Sequence, residues 1–199
     1  MAESLDRASA FSYRCMACSR CCRGKTIQIN PYELARIAVA LDMPVPDLIA
    51  THTRDGVFLR HHPDGRCVFL GPNGCGIHTH RPLVCRLYPL GRIANLQGER
   101  FVSVPPHPQT EGHYGTEGTV ADYLAQQQAE PFIEAADAYY HLYLRLAGAA
   151  TSRASFEPMD LLDLNGAVRA ECANRRQPLP PTLEERVGRH IEWLFEALA

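Results

Sequence analysis

The chain has 199 residues, 46% of them hydrophobic and 21% charged, with a formal net charge of −2. That length allows one domain with a buried core, and the near-neutral charge excludes a global electrostatic drive toward nucleic acid or membrane surfaces. No apolar run reaches signal-peptide or membrane-span length, so a cytoplasmic protein is expected.

Taken in chain order, RCMACSRCCRGK (residues 14–25) reads as a loop holding Cys15, Cys18, Cys21 and Cys22 within eight positions. TIQI (26–29) alternates polar and apolar residues and predicts a short strand. At NPYE, Asn30 as N-cap, Pro31 at the first helical position and Glu33 at the third predict a helix to about Leu41. Its expected apolar face is Leu34, Ile37, Ala38 and Leu41. A shorter helix follows from Pro44.

From Gly56 the chain breaks into short apolar pieces separated by Asp64-Gly65 and Asn73-Gly74. CVFLGPNGC (67–75) predicts a hairpin with Cys67 and Cys75 close across its mouth. RPLVCRLYP (81–89) predicts one helical turn between Pro82 and Pro89, residues 91–104 a second hairpin, and 105–118 an irregular loop.

The remainder is expected to be helical, with Thr119 as a cap and a long helix over 131–148 stopped by Gly148. Its predicted stripe is Phe132, Ala136, Tyr140, Tyr143, Leu144 and Ala147. The last helix opens on a Thr182–Glu185 capping box, with Leu183, Val187, Ile191, Leu194, Phe195 and Leu198 as its stripe. The expected class is α+β, mostly α: a small cysteine-rich metal-binding module with short hairpins, surrounded and followed by helices. A single domain is expected over 1–199, with the module at 12–145 and a helical C-terminal extension at 146–199.

Seven of the eight cysteines (Cys15, Cys18, Cys21, Cys22, Cys67, Cys75 and Cys85) fall within the first 85 residues. In a reducing compartment such clustering points to metal or redox chemistry rather than structural disulfides. Cys15, Cys18 and Cys21 at two-residue spacing form a tripod of the kind that holds cubane iron–sulfur clusters, with Cys85 as a remote fourth ligand. A zinc ribbon would show two separated CxxC pairs. Adjacent side chains diverge, so Cys22 belongs to a second site or to a bridging arrangement. Cys75 and His78 have zinc-like spacing. Seven thiols and one histidine fill two four-coordinate sites and four thiols fill one cubane, so counting leaves both open.

Arg14, Arg20, Arg23, Lys25, Arg81 and Arg86 flank these cysteines and favour thiolates. Without stacking aromatics or a larger basic surface, this loop is not read as a nucleic-acid site. Cys172 reads as an ordinary buried or free thiol.

The residues CMACSRCC (15–22), NPYELARIA (30–38), the 67–89 stretch ending CRLYP, and GTEGTVADYLAQQ (115–127) resemble the CxxCxxCC cysteine-cluster family. That family, of the YkgJ type, is described as zinc- or iron-chelating, and the resemblance spans roughly residues 12–145. Flagellin lysine N-methylase is similar to the same family, and there the pattern implies an iron–sulfur cluster. The family often has tyrosine where this chain has His78, which weakens His78 as a ligand. It also often has Cys-Pro-Gly where this chain has His107-Pro108, so His107 stands as a replacement ligand or the second site is reduced. His61, His62, His80, His113, His141 and His190 read as surface or packing residues.

The leading expectation is thus a [4Fe-4S]-type iron–sulfur protein with a structural or redox role and room for a second metal. The alternatives are a zinc-stabilised interaction or metal-handling protein, and an S-adenosylmethionine-dependent methyltransferase. Either an oxidoreductase or a methyltransferase activity is compatible with these. Electron-transfer or small-molecule chemistry would need an unknown protein partner or a substrate pocket; membrane and nucleic acid are not expected.

Overall fold

The computed structural model describes residues 4–148 and 157–197. In chain order its elements are β1 (Ser4–Leu5), β2 (Ala10–Arg14), α1 (Pro31–Ala40), α2 (Val45–His52), β3 (Thr53–Arg54), β4 (Phe58–Leu59), β5 (Leu70–Gly71), β6 (Gly74–Cys75), α3 (Leu83–Leu87), β7 (Leu90–Asn95), β8 (Gly98–Ser103), β9 (His113–Thr119), α4 (Val120–Gln126), α5 (Glu130–Gly148), α6 (Pro158–Leu162), α7 (Leu164–Arg175) and α8 (Leu183–Glu196). Helix outweighs strand, 46% to 21%, and the fold is α+β. Two compact units emerge: the described residues through Ile27 with Leu59–Glu130, and Gln28–Phe58 with the described residues from Pro131 onward.

The first unit contains the strands that frame the cysteines. A three-stranded sheet has the order β1-β8-β7, with Leu5 opposite Phe101 and Arg92 opposite Phe101 on the other side. Phe101, the central residue of this sheet, is fully buried, and Leu87 and Leu90 are buried in the same unit. A second ladder pairs β2 with β9, antiparallel, placing Tyr13 opposite Tyr114. Residues 113–118 of the expected irregular loop are therefore strand. Its glycine-rich sequence has no alternation, and only the distant partner Ala10–Arg14 supplies its hydrogen bonds.

Residues 26–29 form no named strand. Ile27 and Ile29 are buried, as the alternation implies, but pairing is confined to a bridge from Gln28 to Phe58.

The second unit is built on α1, which forms where its signals place it. The Glu33 N–H donates to Asn30 Oδ1 at 3.0 Å and the Asn30 N–H donates to Glu33 Oε2 at 2.9 Å, closing the capping box. Asn30→Ala is expected to lower stability by about 1 kcal/mol, with Asn30→Asp restoring most of it, as read by chemical denaturation. Leu34, Ile37 and Ala38 are buried, with Leu41 at the helix end. The Tyr32 ring packs edge-on against Phe132 at 5.2 Å, and its hydroxyl donates to Glu184 at 2.7 Å.

Helix α5 turns a different face inward from the expected one. Phe132, Ile133, Ala135, Tyr139 and Leu142 are buried, whereas Tyr140 and Leu144 are exposed. Phe132, Tyr139 and Leu142 follow the helical period from the same start, while the predicted stripe drifts toward solvent with each turn. In α8, Val187, His190 and Leu194 are buried and Leu183, Ile191 and Phe195 half-buried; Leu198 lies outside the described residues. His190 is a packing residue. Its Nδ1 lies 2.8 Å from the Tyr139 hydroxyl and its Nε2 2.7 Å from the Asp160 carbonyl oxygen, with the Trp193 ring stacked 6.1 Å away. Among the described residues no helix is long and apolar enough to cross a membrane.

Candidate metal centre

Cys15, Cys18, Cys21, Cys22, Cys67, Cys75 and Cys85 all lie in the first unit, and all are free thiols. Between Cys15 and Cys21 the backbone enters the left-handed region at Ala17 (φ 53°) and Ser19 (φ 60°). Around these bends main-chain amides meet sulfur: the Ala17 N–H donates to Cys15 Sγ at 3.4 Å, and the Arg20 N–H donates to Cys18 Sγ. The same pattern, a donor two residues after the cysteine, returns in the second segment, with the Phe69 N–H on Cys67 and the Ile77 N–H on Cys75. Amide donors to sulfur stabilise thiolate and are a main lever on thiolate-held metals.

Main-chain bonds tie the two segments together. The Cys67 N–H donates to the Cys22 carbonyl at 2.9 Å, the Gly24 N–H to the Gly65 carbonyl at 3.0 Å, and Arg23 bridges to Arg66. The expected hairpin is present as β5–β6, but Cys75 pairs with Leu70. Cys67 sits outside that ladder, placed by its bond to Cys22. Five of the thiols nonetheless lie within electrostatic reach of one another in a chain, Cys22 with Cys21, Cys75 and Cys85, and Cys75 with Cys67. Cys85 lies on α3, the expected turn between Pro82 and Pro89. Arg86, buried beside it, donates to the carbonyls of Arg81 (3.0 Å), Gln127 (2.7 Å) and Thr79, pinning three segments around that cysteine.

The electrostatics differ among the thiols. Cys21 and Cys22 stand 3.9 Å apart, sulfur to sulfur. A hydrogen bond from Cys22 favours the Cys21 thiolate, and Lys25 adds to that; the same bond and burial hold Cys22 protonated. Burial pushes Cys67 and Cys75 up, each partly offset by its amide donor. Cys18 is held below its ordinary value, first by the Glu111 N–H, then by the Arg20 N–H and the Thr110 hydroxyl.

These contacts bring in residues without a sequence signal. Thr110 also bonds the Tyr13 hydroxyl, and the Tyr13 ring meets Tyr114 at 4.9 Å, Tyr88 at 6.0 Å and Tyr123 at 6.5 Å. Burial raises the Tyr13 hydroxyl to about 12, with further upward pushes from Cys15 and Cys21. Of this aromatic group Tyr88 lies in CRLYP and Tyr123 in GTEGTVADYLAQQ, whereas Tyr13 and Tyr114 lie in no motif visible in the sequence. A β-carbon on Gly112 would overlap the Tyr13 hydroxyl and ring edge. Gly112→Ala is therefore expected to displace Tyr13 and cost about 1–3 kcal/mol, read as a lower thermal midpoint.

The two histidines are placed differently. His107 is half-buried; its N–H donates to the Tyr88 hydroxyl at 3.2 Å and its Nδ1 accepts the Gln109 N–H at 3.1 Å. His78 is exposed, with Nδ1 3.3 Å from Arg81, and is held below its ordinary value by partial burial and by Arg81 and Arg86.

Among the described residues no three Cys, His, Asp or Glu side chains converge, as placed, on a single point where an ion would sit. The donor chemistry nevertheless fits a thiophilic metal: four of the sulfurs accept amide donors from two residues onward. The buried Arg20 Nε, in the turn between Cys18 and Cys22, has no hydrogen-bond partner among the described residues, a donor suited to an anionic thiolate centre. Sulfur ligands select zinc, copper(I) or iron–sulfur clusters.

Comparison with known proteins agrees with this donor set. An uncharacterized protein of Methanocaldococcus jannaschii is 31% identical over 86 residues, covering 41% of this chain and 46% of its own length. The chain thus spans less than half of that relative. No solved structure gives a significant match. Residues 14–106 match the CxxCxxCC family model, described as "Putative zinc- or iron-chelating domain".

Proposed function

We propose that the thiols of residues 15–22 and 67–85 hold an iron–sulfur cluster of the [4Fe-4S] type, in a structural or electron-carrying role. One observation supports the reading: the two-residue-spaced loop is bonded directly to the second cysteine segment, Cys67 N–H to the Cys22 carbonyl, and Cys22 lies within electrostatic reach of Cys21 and Cys85. A loop tripod with one remote cysteine is the ligand arrangement of a cubane cluster. When bound, the cluster supplies one-electron chemistry or rigidity. The chain's own residues place the thiolates, donate amides to sulfur and counter the negative charge. Free thiols in this number suit a reducing, cytoplasmic compartment, and the exposed Cys15 and Met16 at the loop suit exchange with a protein partner.

A second reading, structural zinc, is favoured by a different count. Cys15, Cys18, Cys67 and Cys75 accept an amide donor two residues on, and four thiolates complete a closed zinc site. Anaerobic purification with metal analysis separates the two. A brown protein with broad visible absorbance and about four iron per chain is the expected result. A colourless protein holding one zinc per chain overturns it in favour of the second reading.

S-adenosylmethionine-dependent methyl transfer draws less support. The glycines of 112–118 run into β9, within an antiparallel ladder, rather than opening a phosphate-cradling turn after a parallel strand. Calorimetric titration with S-adenosylmethionine is expected to give no binding heat, and a saturable isotherm would revive that reading.

A further inference from the structure

We infer that Lys25 is a positioning residue of the metal centre: its ammonium, seated on the face of Tyr88, supplies a fixed positive charge at the junction of the two cysteine segments. The inference rests on the thiolate-metal reading, but not on which metal fills the site.

The geometry begins with the ring. Lys25 Nζ lies 5.1 Å from the Tyr88 centroid, a cation–π contact that orders a side chain otherwise free to wander in solvent. Tyr88 is itself held on several sides. Its hydroxyl accepts the His107 N–H at 3.2 Å and bonds Tyr114, its ring meets Tyr13 edge-on at 6.0 Å, and its carbonyl accepts the Tyr123 hydroxyl at 2.6 Å. A platform so constrained holds the ammonium where the backbone delivers it. That delivery is fixed as well: Gly24 takes a left-handed turn (φ 62°) with its N–H on the Gly65 carbonyl, between Cys22 and Lys25.

Charge completes the case. Lys25 follows Cys22 by three residues and its seat, Tyr88, follows Cys85 by three, so the cation–π contact fixes the ammonium to both cysteine segments. The neighbouring Arg23 is offset by Asp64, 3.6 Å away. A thiolate-held metal is a net anion, and a single cation fixed in a half-buried site acts on it more strongly than a solvated one. Tyr88 therefore serves as the seat of the counter-charge, linking CRLYP to the first cysteine loop without contributing a ligand.

The test uses the full-length reduced chain loaded with zinc, titrated against a chelator of known affinity. Lys25→Gln and Tyr88→Leu are each expected to weaken zinc binding by about tenfold, the scale of one half-buried charge contact. Lys25→Arg and Tyr88→Phe keep the cation and the ring, and are expected to stay close to the parent. The double variant Lys25→Gln/Tyr88→Leu should bind no worse than either single variant. High salt should shrink the gap between parent and Lys25→Gln, which a merely structural loss would not show. Circular dichroism checks that each variant is folded; Lys25→Gln, at a half-exposed position, carries the test if Tyr88→Leu does not fold. Parent-like affinity in Lys25→Gln, additivity in the double variant, or a salt-independent gap overturns the inference and leaves the metal reading intact. A parent chain that binds no zinc and no iron overturns both.

Discussion

Replacing Cys18 with alanine is expected to cost the chain its metal and its solubility together, whereas Cys172→Ala leaves metal content unchanged. Cys18 is the middle thiol of the loop, and its sulfur collects donors from Arg20, Glu111 and Thr110. Removing it deletes a proposed ligand and strips those donors of their acceptor, so the loop and the 107–112 segment lose a shared anchor. Metal binding in such a site is also folding free energy, on the order of 10 kcal/mol for a thiolate zinc site. Losing it leaves the cysteines exposed to oxidation and cross-linking. Cys172 sits on α7 in the second unit, buried and remote in sequence from any cysteine pattern. Its truncation removes one sulfur from a packed helix face, with an expected cost of about 1 kcal/mol. Metal per chain and the soluble fraction after expression decide the matter, and equal damage from the two variants would contradict the assignment.

The second large effect belongs to His190. Its nitrogens lie against the Tyr139 hydroxyl and the Asp160 carbonyl, so the neutral ring is satisfied with Nε2–H donating to Asp160 and Tyr139 donating to Nδ1. His190→Leu leaves both partners unpaired in the core, at an expected cost of about 2–4 kcal/mol. Burial also holds the imidazole below its ordinary value of 6.5, with Asp160 and Asp163 pulling the other way. The folded state therefore resists a proton that the unfolded chain accepts. Stability from this residue is complete above pH of about 6.5 and falls as the pH drops below it, by up to about 1.4 kcal/mol per pH unit, until the folded value is reached. Trp193 is the single tryptophan of the chain and stacks on His190, so its emission during urea unfolding reads this unit directly. A midpoint that does not move between pH 7.5 and 5.5 in the parent would exclude the effect. The same change persisting in His190→Leu would assign it elsewhere.

What the sequence made legible was whatever is encoded within a few residues. The capping boxes at Asn30 and Thr182, the turn between Pro82 and Pro89, and the hairpin around Asn73-Gly74 all depend on adjacent side chains, and each forms. The α+β class followed from them. The β2–β9 ladder did not, because its two strands are a hundred positions apart and one is rich in glycine. The α5 stripe was misread because several apolar residues on a long helix fit more than one face, and only the packed neighbours choose. Around the thiols the same limit holds. Cysteine spacing announced a metal chemistry, and the family match agrees with it. Thr110, Glu111 and Tyr13 carry no signal of their own, since their role comes from main-chain atoms and ring edges brought in by distant segments.

The crossing between the two units has a consequence for chelation. The chain leaves the first unit at Ile27 and returns at Leu59, and this neck is stitched by Ile29 N–H to the Val57 carbonyl at 2.8 Å and Leu59 N–H to the Ile27 carbonyl at 2.9 Å. With the neck open, the two cysteine segments are joined only through the whole of residues 28–58 and must find each other at the entropic cost of closing that span. With the neck stitched, that span contracts to a few residues on either side and the second set of thiols is presented to the first at a high effective concentration. Residues 28–58 contain no cysteine, yet their closure tightens the grip on any ion that the flanking segments share.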